Sequence, residues 1–387
     1  MHSGQPVKRE RRNILAIMAT VGIAGLGYGT SIPLLSILLE RGGYSSTLIG
    51  LNTAVQAIAA LVILPFVPRL LAWLGAARLL LICLLTIGTT LIAMRGFIDI
   101  LVWFPLRFIF GAAIAVMFTT SEYWVNAIAD EESRGRLVAL YATVFSCGWT
   151  LGPLLLSVLG PERWTPVAVS AAILALAVIP LGLGGSAAPA PENSGSADLF
   201  GILREAAVPA LATFVYGAVE IGVFSLLPVY ALHHHLSAQQ GALMLGALSA
   251  GTILLQLPIG WAADRMGRRQ ALIACALVGL AGALSMPYLT DRPLFLYGTL
   301  VIWGGCLPGL YLLGLTLIGE QFKGPRLAAA NTTVMLLYSL GGLLAPPISG
   351  LAMDLWPRHG LALVLGLLCG IFALLALWEQ WRQAKTA

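Results

Sequence analysis

Residues 241–269 read GALMLGALSAGTILLQLPIGWAADRMGRR. No charged side chain occurs from Gly241 to Ala263, and then Asp264, Arg265, Arg268 and Arg269 crowd into one short stretch. An apolar run of this length covers the roughly 30 Å hydrocarbon core of a bilayer when it is helical. It lacks the alternation of a barrel strand, and backbone in lipid must satisfy its own hydrogen bonds, so a helix is the consistent reading. The charged stretch, opened by Gly260 and turned at Gly267, is a tight loop on the water side.

Working outward from this stretch, similar apolar runs fill the chain, about twelve in all by length and spacing. They run from 14–39 through 164–184, the sixth, to 361–380. The composition agrees: 58% of the 387 residues are hydrophobic and 10% charged, with a mean hydropathy of +0.89, against roughly a quarter charged in a soluble domain. The expected fold class is an all-α membrane protein with twelve transmembrane helices in two pseudo-symmetric six-helix bundles. A soluble enzyme is excluded by the lack of a polar surface.

Residues 185–207 (GSAAPAPENSGSADLFGILREAA) form the one long polar, Pro- and Ser-rich segment, and they stand between spans six and seven. They predict an N-terminal bundle over 1–184, a cytoplasmic linker over 185–207 and a C-terminal bundle over 208–387. The halves echo each other. TSIPLLSILL near the end of the first span resembles FSLLPVYALH in the seventh, and RLVALYATVFSCGWTLG from Arg136 aligns with RLAAANTTVMLLYSLGG from Arg326. Weak internal symmetry of this kind accompanies carriers with a substrate site at mid-membrane.

Orientation follows from the basic residues, which concentrate in loops that stay cytoplasmic. Of the 22 Lys and Arg, alternate loops place Arg41, Arg95, Arg163, Arg292 and Arg358 on one side, Arg107 inside a span, and the rest on the other. Both termini are therefore expected in the cytoplasm of a bacterium, with the chain in the cytoplasmic (inner) membrane as a multi-pass protein. The net charge of +5 belongs to these lipid-facing basic loops, so the partner is the lipid bilayer and not nucleic acid. The basic opening KRERR precedes a run too long for a signal peptide.

The turn GWAADRMGRR resembles the G-x-x-x-D-R-x-G-R-R loop of the major facilitator superfamily. Asp264, Arg265, Arg268 and Arg269 read as a cytoplasmic gate that pairs with neighbouring helix ends, and Glu320 at the end of span ten is expected beside it. The equivalent first-half stretch PRLLAWLGAAR keeps Gly75 and Arg78 but lacks the acid, so its latch is weaker. RFIFGAA, with Arg107 and Gly111, is a second family element. GWTLGP is a third and resembles the fifth-helix element of exporters, although Leu154, Leu155 and Leu156 stand where that pattern has further glycines. Gly148 and Gly152 form a small-xxx-small face and Pro153 frees a carbonyl, which suits either plain helix packing or a hinge. Over nearly the whole chain, with SEYWVNAIADEESRGRL and AAANTTVMLLYSLGGLLAPPISG, the sequence resembles the YcaD-like branch of bacterial permeases. The resemblance implies the family's fold and alternating-access transport but carries no substrate.

Ionisable groups inside a span are functional-site hypotheses, because they cost several kcal/mol in lipid unless a cavity or partner receives them. Glu220, midway along span seven in VYGAVEIGVF, is expected either to couple protons or bind substrate, or to make a structural hydrogen bond. Arg107 is expected either to tune a carboxylate or hold an anionic group, or to serve as a structural helix tie. Glu122 lies about 22 Å further along the same helix, too far to pair with it; it suits either the gate, opposite Arg78 or Arg136, or the cavity. Tyr28, Asn52, Gln56, Asn126, Tyr216, Gln256, Trp303, Tyr311 and Asn331 are cavity candidates, each equally suited to packing.

No metal or cofactor is expected: His233, His234 and His235 are consecutive and point apart, the five cysteines fall inside spans, and no nucleotide-binding loop occurs. The expected function is secondary active transport by alternating access, with proton-coupled export of a small organic compound. Uptake of a sugar or other metabolite is the alternative, and a non-transporting membrane sensor the reading from another class. The partners are then a small-molecule substrate and protons, with the chain acting as a monomer.

Overall fold

A computed structural model describes residues 4–128, 134–161, 164–183 and 199–386. Among them every regular element is a helix: α1 (Gly4–Arg41), α2 (Ser46–Ile63), α3 (Val67–Leu74), α4 (Ala76–Gly96), α5 (Ile100–Ile128), α6 (Arg134–Leu159), α7 (Thr165–Leu176), α8 (Val178–Leu183), α9 (Leu199–Glu205), α10 (Ala207–His233), α11 (Ala238–Met266), α12 (Arg268–Leu289), α13 (Pro293–Gln321), α14 (Gly324–Leu355) and α15 (Gly360–Thr386). Eleven spans, counting α2 and α3 as one, are long and apolar enough to cross a membrane, with mean hydropathies between 1.5 and 2.7. The expected helical membrane protein is what forms. Most of the 185–207 linker lies outside the described residues; its last part carries the short helix α9.

Prolines explain the two irregular spans. In the second, Pro65 and Pro68 remove backbone donors, and a 3₁₀ turn over Leu64–Phe66 joins α2 to α3. The expected sixth span at 164–184 is made by two pieces, α7 of 12 residues and α8 of 6. Pro180 cannot donate to the Leu176 carbonyl, and α7 ends at that residue.

Contacts group the chain into two units, Met1–Gly42 with Val55–Glu192, and Gly43–Ala54 with Asn193–Ala387. The first half of α2 therefore packs with the second unit. There Asp354 of α14 caps the helix start: its Oδ1 accepts the Ser46 N–H at 2.8 Å, and its Oδ2 accepts the Thr47 N–H at 2.9 Å and the Thr47 hydroxyl at 2.5 Å. Ser45 Oγ accepts the Leu48 N–H at 3.3 Å, so three of the exposed donors that open a helix are satisfied.

Lipid tails are as apolar as leucine, so helices in a bilayer gain little by burying leucines against each other and associate through close packing. In the first unit α6 meets α1 at Gly148 and Gly152, where an added Cβ would strike the Gly22 carbonyl and the backbone at Gly29 and Thr30. In the second unit α10 meets α14 the same way: a Cβ on Gly217 would strike the Tyr338 carbonyl and come within 2.9 Å of its ring. Large side chains such as Val158, Leu257 and Leu294 stay exposed at 83%, 85% and 83%, which suits a lipid-facing surface. Exposed tryptophans mark the span ends, with Arg265 stacked over Trp261, Arg382 over Trp378 and Arg95 over Trp164.

Candidate substrate and proton site

Glu220 stands halfway along α10. Its Oε1 accepts a hydrogen bond from the Tyr216 hydroxyl at 2.6 Å, one turn earlier on the same face, and its Oε2 accepts one from the Tyr338 hydroxyl of α14 at 2.7 Å. Tyr338 reaches the acid because Gly217 lets the two backbones approach. Tyr311 of α13 closes the group, with ring centroids 5.5 Å from Tyr216 and 6.0 Å from Tyr338, while Tyr216 and Tyr338 lie 5.9 Å apart. All four side chains are partly exposed, whereas Gly217, Ala218 and Val219 beside them are buried. Among the described residues no Lys, Arg or His pairs with Glu220. The site is a carboxylate held by two neutral phenols beside a third aromatic ring.

Tyr338 was not singled out in the sequence. The signal was present in the repeat: from Arg136 and Arg326, Tyr338 occupies the register position of Gly148, so a large aromatic stands where the first half has only hydrogen.

In the first unit Arg107 is 1% exposed. Its guanidinium lies 5.5 Å from the Phe110 ring centroid, and its Nε and Nη1 have no hydrogen-bond partner among the described residues. Nearby on α1, Tyr28 bonds to Gln56 of α2 and packs against Phe110, Phe118 and Trp149, and Gly111, one turn beyond Arg107, gives Gln56 room. The structure thus gathers Tyr28 and Gln56 with the element that carries Arg107. Glu122 occupies the far part of α5 on an exposed face near Tyr141, whose hydroxyl is 2.9 Å from Ser121 Oγ. The Asn126 side chain is outside the described residues.

The remaining candidates scatter. Asn52 is 2% exposed and its amide nitrogen lacks a partner among the described residues. Gln256 and Asn331 are exposed. Trp303 is fully buried, its ring against Gly282, which makes it a core residue of the second unit. Pro153 is buried in α6; the Trp149 carbonyl, which it leaves without an intrahelical donor, faces Gly29.

At the charged loop, Gly267 adopts φ +94°, a conformation open to glycine, and lets α11 turn into α12. Arg268 pairs with Glu320 of α13, and Arg269 with Glu379 of α15 at 3.2 Å. Arg265 instead stacks on Trp261, and Asp264 is exposed, as is Arg78 in the first unit. Glu379, missed in the sequence because it lies in the final helix, is the second anchor of the loop. His234 Nε2 sits 3.1 Å from the Arg358 carbonyl. Burial, the largest influence, lowers its pKa from the ordinary histidine value.

Membrane-length helices, two units each built on a glycine-packed helix pair, and a mid-span acid lined by aromatic rings define a multi-pass carrier. A family model described as Major Facilitator Superfamily matches residues 17–231 and 209–387. The chain belongs to that superfamily and is a secondary transporter, not an enzyme. The uncharacterized MFS-type transporter YfkF of Bacillus subtilis (strain 168) is 27% identical over 393 residues, covering 97% of this chain and 98% of its own length. The uncharacterized MFS-type transporter YcaD of Shigella flexneri serotype 5b is 27% identical over 277 residues, 71% of this chain and 72% of its own. A crystal structure of a point mutant of the nucleoside transporter NupG superposes with a TM-score of 0.78 at 14% identity, covering 95% of this chain and 98% of that one. That likeness speaks to fold.

Proposed function

We propose that the protein is a proton-coupled exporter of a small organic compound, with Glu220 as the group that carries the proton. The observation behind this reading is the placement of Glu220: halfway along a membrane-length helix, partly exposed, held by two phenol hydroxyls and paired with no cation among the described residues. A buried or half-buried carboxylate without a cationic partner binds a proton or another positive charge to stay neutral. Transport by alternating access needs such a group to face each side in turn. GWTLGP supports export over uptake, and the basic loops support cytoplasmic termini in a bacterial inner membrane. Two six-helix halves, 1–184 and 208–387, joined through 185–207, are the moving bodies of this proposal, and Asp264, Arg265, Arg268, Arg269, Glu320 and Arg78 its cytoplasmic gate.

Protein reconstituted in liposomes, with a pH gradient imposed in either direction, is expected to carry organic solutes at a rate set by that gradient. Glu220→Gln is expected to remove the pH dependence while the protein remains folded in detergent. Flux of no compound under any gradient would overturn the carrier mechanism, and unchanged pH dependence in the variant would remove Glu220 from it.

A further inference from the structure

We propose that the Glu220 site takes a lipophilic organic cation, so that the exported compound carries a delocalised or quaternary positive charge. This rests on the reading of Glu220 as the exchanging group and adds the chemical class of what is exchanged.

Three features converge on a cation. First, both carboxylate oxygens accept hydrogen bonds from neutral phenols; these hold the group in place without cancelling its charge. Second, the two phenols that hold the acid pack against a third aromatic ring, Tyr311, so that Tyr216, Tyr311 and Tyr338 each lie within 6.0 Å of the other two by centroid. The face of an aromatic ring is negative, so the rings and the carboxylate favour the same sign of charge and disfavour an anion. Third, Tyr216, Glu220, Tyr311 and Tyr338 are all partly exposed, while Gly217, Ala218 and Val219 between the two on α10 are buried, so the acid and its rings are open to contact by a solute.

A soft, weakly hydrated cation suits such a site better than a primary ammonium or a metal ion. The hydroxyl hydrogens of Tyr216 and Tyr338 are already committed to Glu220, and ring faces supply attraction without hydrogen bonds.

Among the described residues the titratable groups shown at Glu220 are Tyr216 on its own helix and Tyr338 from α14, with Tyr311 from α13 packed against both. Charged residues on the helices packed around it stand far along the chain axis. Glu320 is roughly 13 Å from Tyr311 along α13, and Arg326 and Asp354 are roughly 18 and 24 Å from Tyr338 along α14, at 1.5 Å per residue. α11 carries its charges at Asp264 and Arg265, and α15 at Glu379, Arg382 and Lys385, all toward the helix ends. The exchange is simple in balance: the Glu220 carboxyl gives its O–H proton to water, and the resulting carboxylate is neutralised by one monovalent cation.

The test uses tetraphenylphosphonium and its anionic isostere tetraphenylborate, with purified full-length protein in weakly buffered detergent, by calorimetry and a proton-release dye. Wild type is expected to bind the phosphonium saturably with release of about one proton per cation, and to bind the borate at least tenfold more weakly. Glu220→Gln is expected to lose at least tenfold in phosphonium affinity and all proton release. Tyr311→Leu is expected to lose about tenfold in affinity and keep proton release at saturation, while its thermal unfolding without ligand, matched to wild type, checks that it is folded. Equal binding of phosphonium and borate, or full affinity in Tyr311→Leu, overturns the cation assignment. Saturable phosphonium binding without proton release leaves the cation assignment standing and overturns the proton-coupling reading beneath it. Proton exchange at Glu220 without phosphonium binding does the reverse.

Discussion

Glu220 was legible in the sequence as an acid in the wrong solvent; its surroundings were not. Nothing in VYGAVEIGVF says that Tyr338, more than a hundred residues on, delivers its hydroxyl to the same carboxylate, because that depends on two helices meeting at Gly217. The dependence is testable at this residue. Gly217→Ala places a methyl group against the Tyr338 carbonyl, backbone that cannot swing aside, and is expected to lower stability by about 1–3 kcal/mol and to weaken coupling. Thermal unfolding in detergent, with transport measured in parallel, reads both effects. Arg107 shows the opposite limit. The sequence located a cation inside a span and left open whether it tunes an acid or holds an anion. The structure shows it buried over Phe110 with two nitrogens unpartnered among the described residues.

At the scale of elements, hydropathy and length located the helices, and proline chemistry accounts for the two that are broken. The pattern could not show where a helix changes allegiance. Apolar periodicity treats the second span as one object, yet Gly43–Ala54 packs with the second unit and residues from Val55 with the first. Within the second unit, Asp354 of α14 ties down the start of α2. Asp354 escaped notice because an acid at a span end looks like an ordinary loop residue. Asp354→Ala uncovers the Ser46 and Thr47 donors and is expected to cost about 1 kcal/mol of stability. It should also raise thiol labelling of a cysteine introduced at Thr47; unchanged labelling would mean the cap does not hold this contact.

The charged loop works at the same scale. Its motif was readable residue by residue, but the partners required the fold: Arg268 finds Glu320, and Arg269 finds Glu379 on the last helix. The side chains of the Arg268 pair are 38% and 51% exposed, so water and salt screen them. A double-mutant cycle over Arg268→Ala and Glu320→Ala is expected to give a coupling below about 1 kcal/mol that shrinks as salt is raised. A larger, salt-insensitive coupling would assign the loop a greater structural weight than its exposure suggests.

For the whole molecule, composition alone required lipid as solvent, and the repeated halves with the G-x-x-x-D-R-x-G-R-R loop pointed to the superfamily that the family model confirms. Substrate is less legible, since it is set by a few side chains on a conserved framework of helices and not by the framework itself. The central claim is that protons move through Glu220. It is tested most directly with a pH-sensitive dye trapped in proteoliposomes while a gradient of an organic cation is imposed. Wild-type protein is expected to move protons opposite to the cation, and Glu220→Gln, folded and inserted to the same extent, to move none. Proton movement in the variant at the wild-type rate would contradict the account.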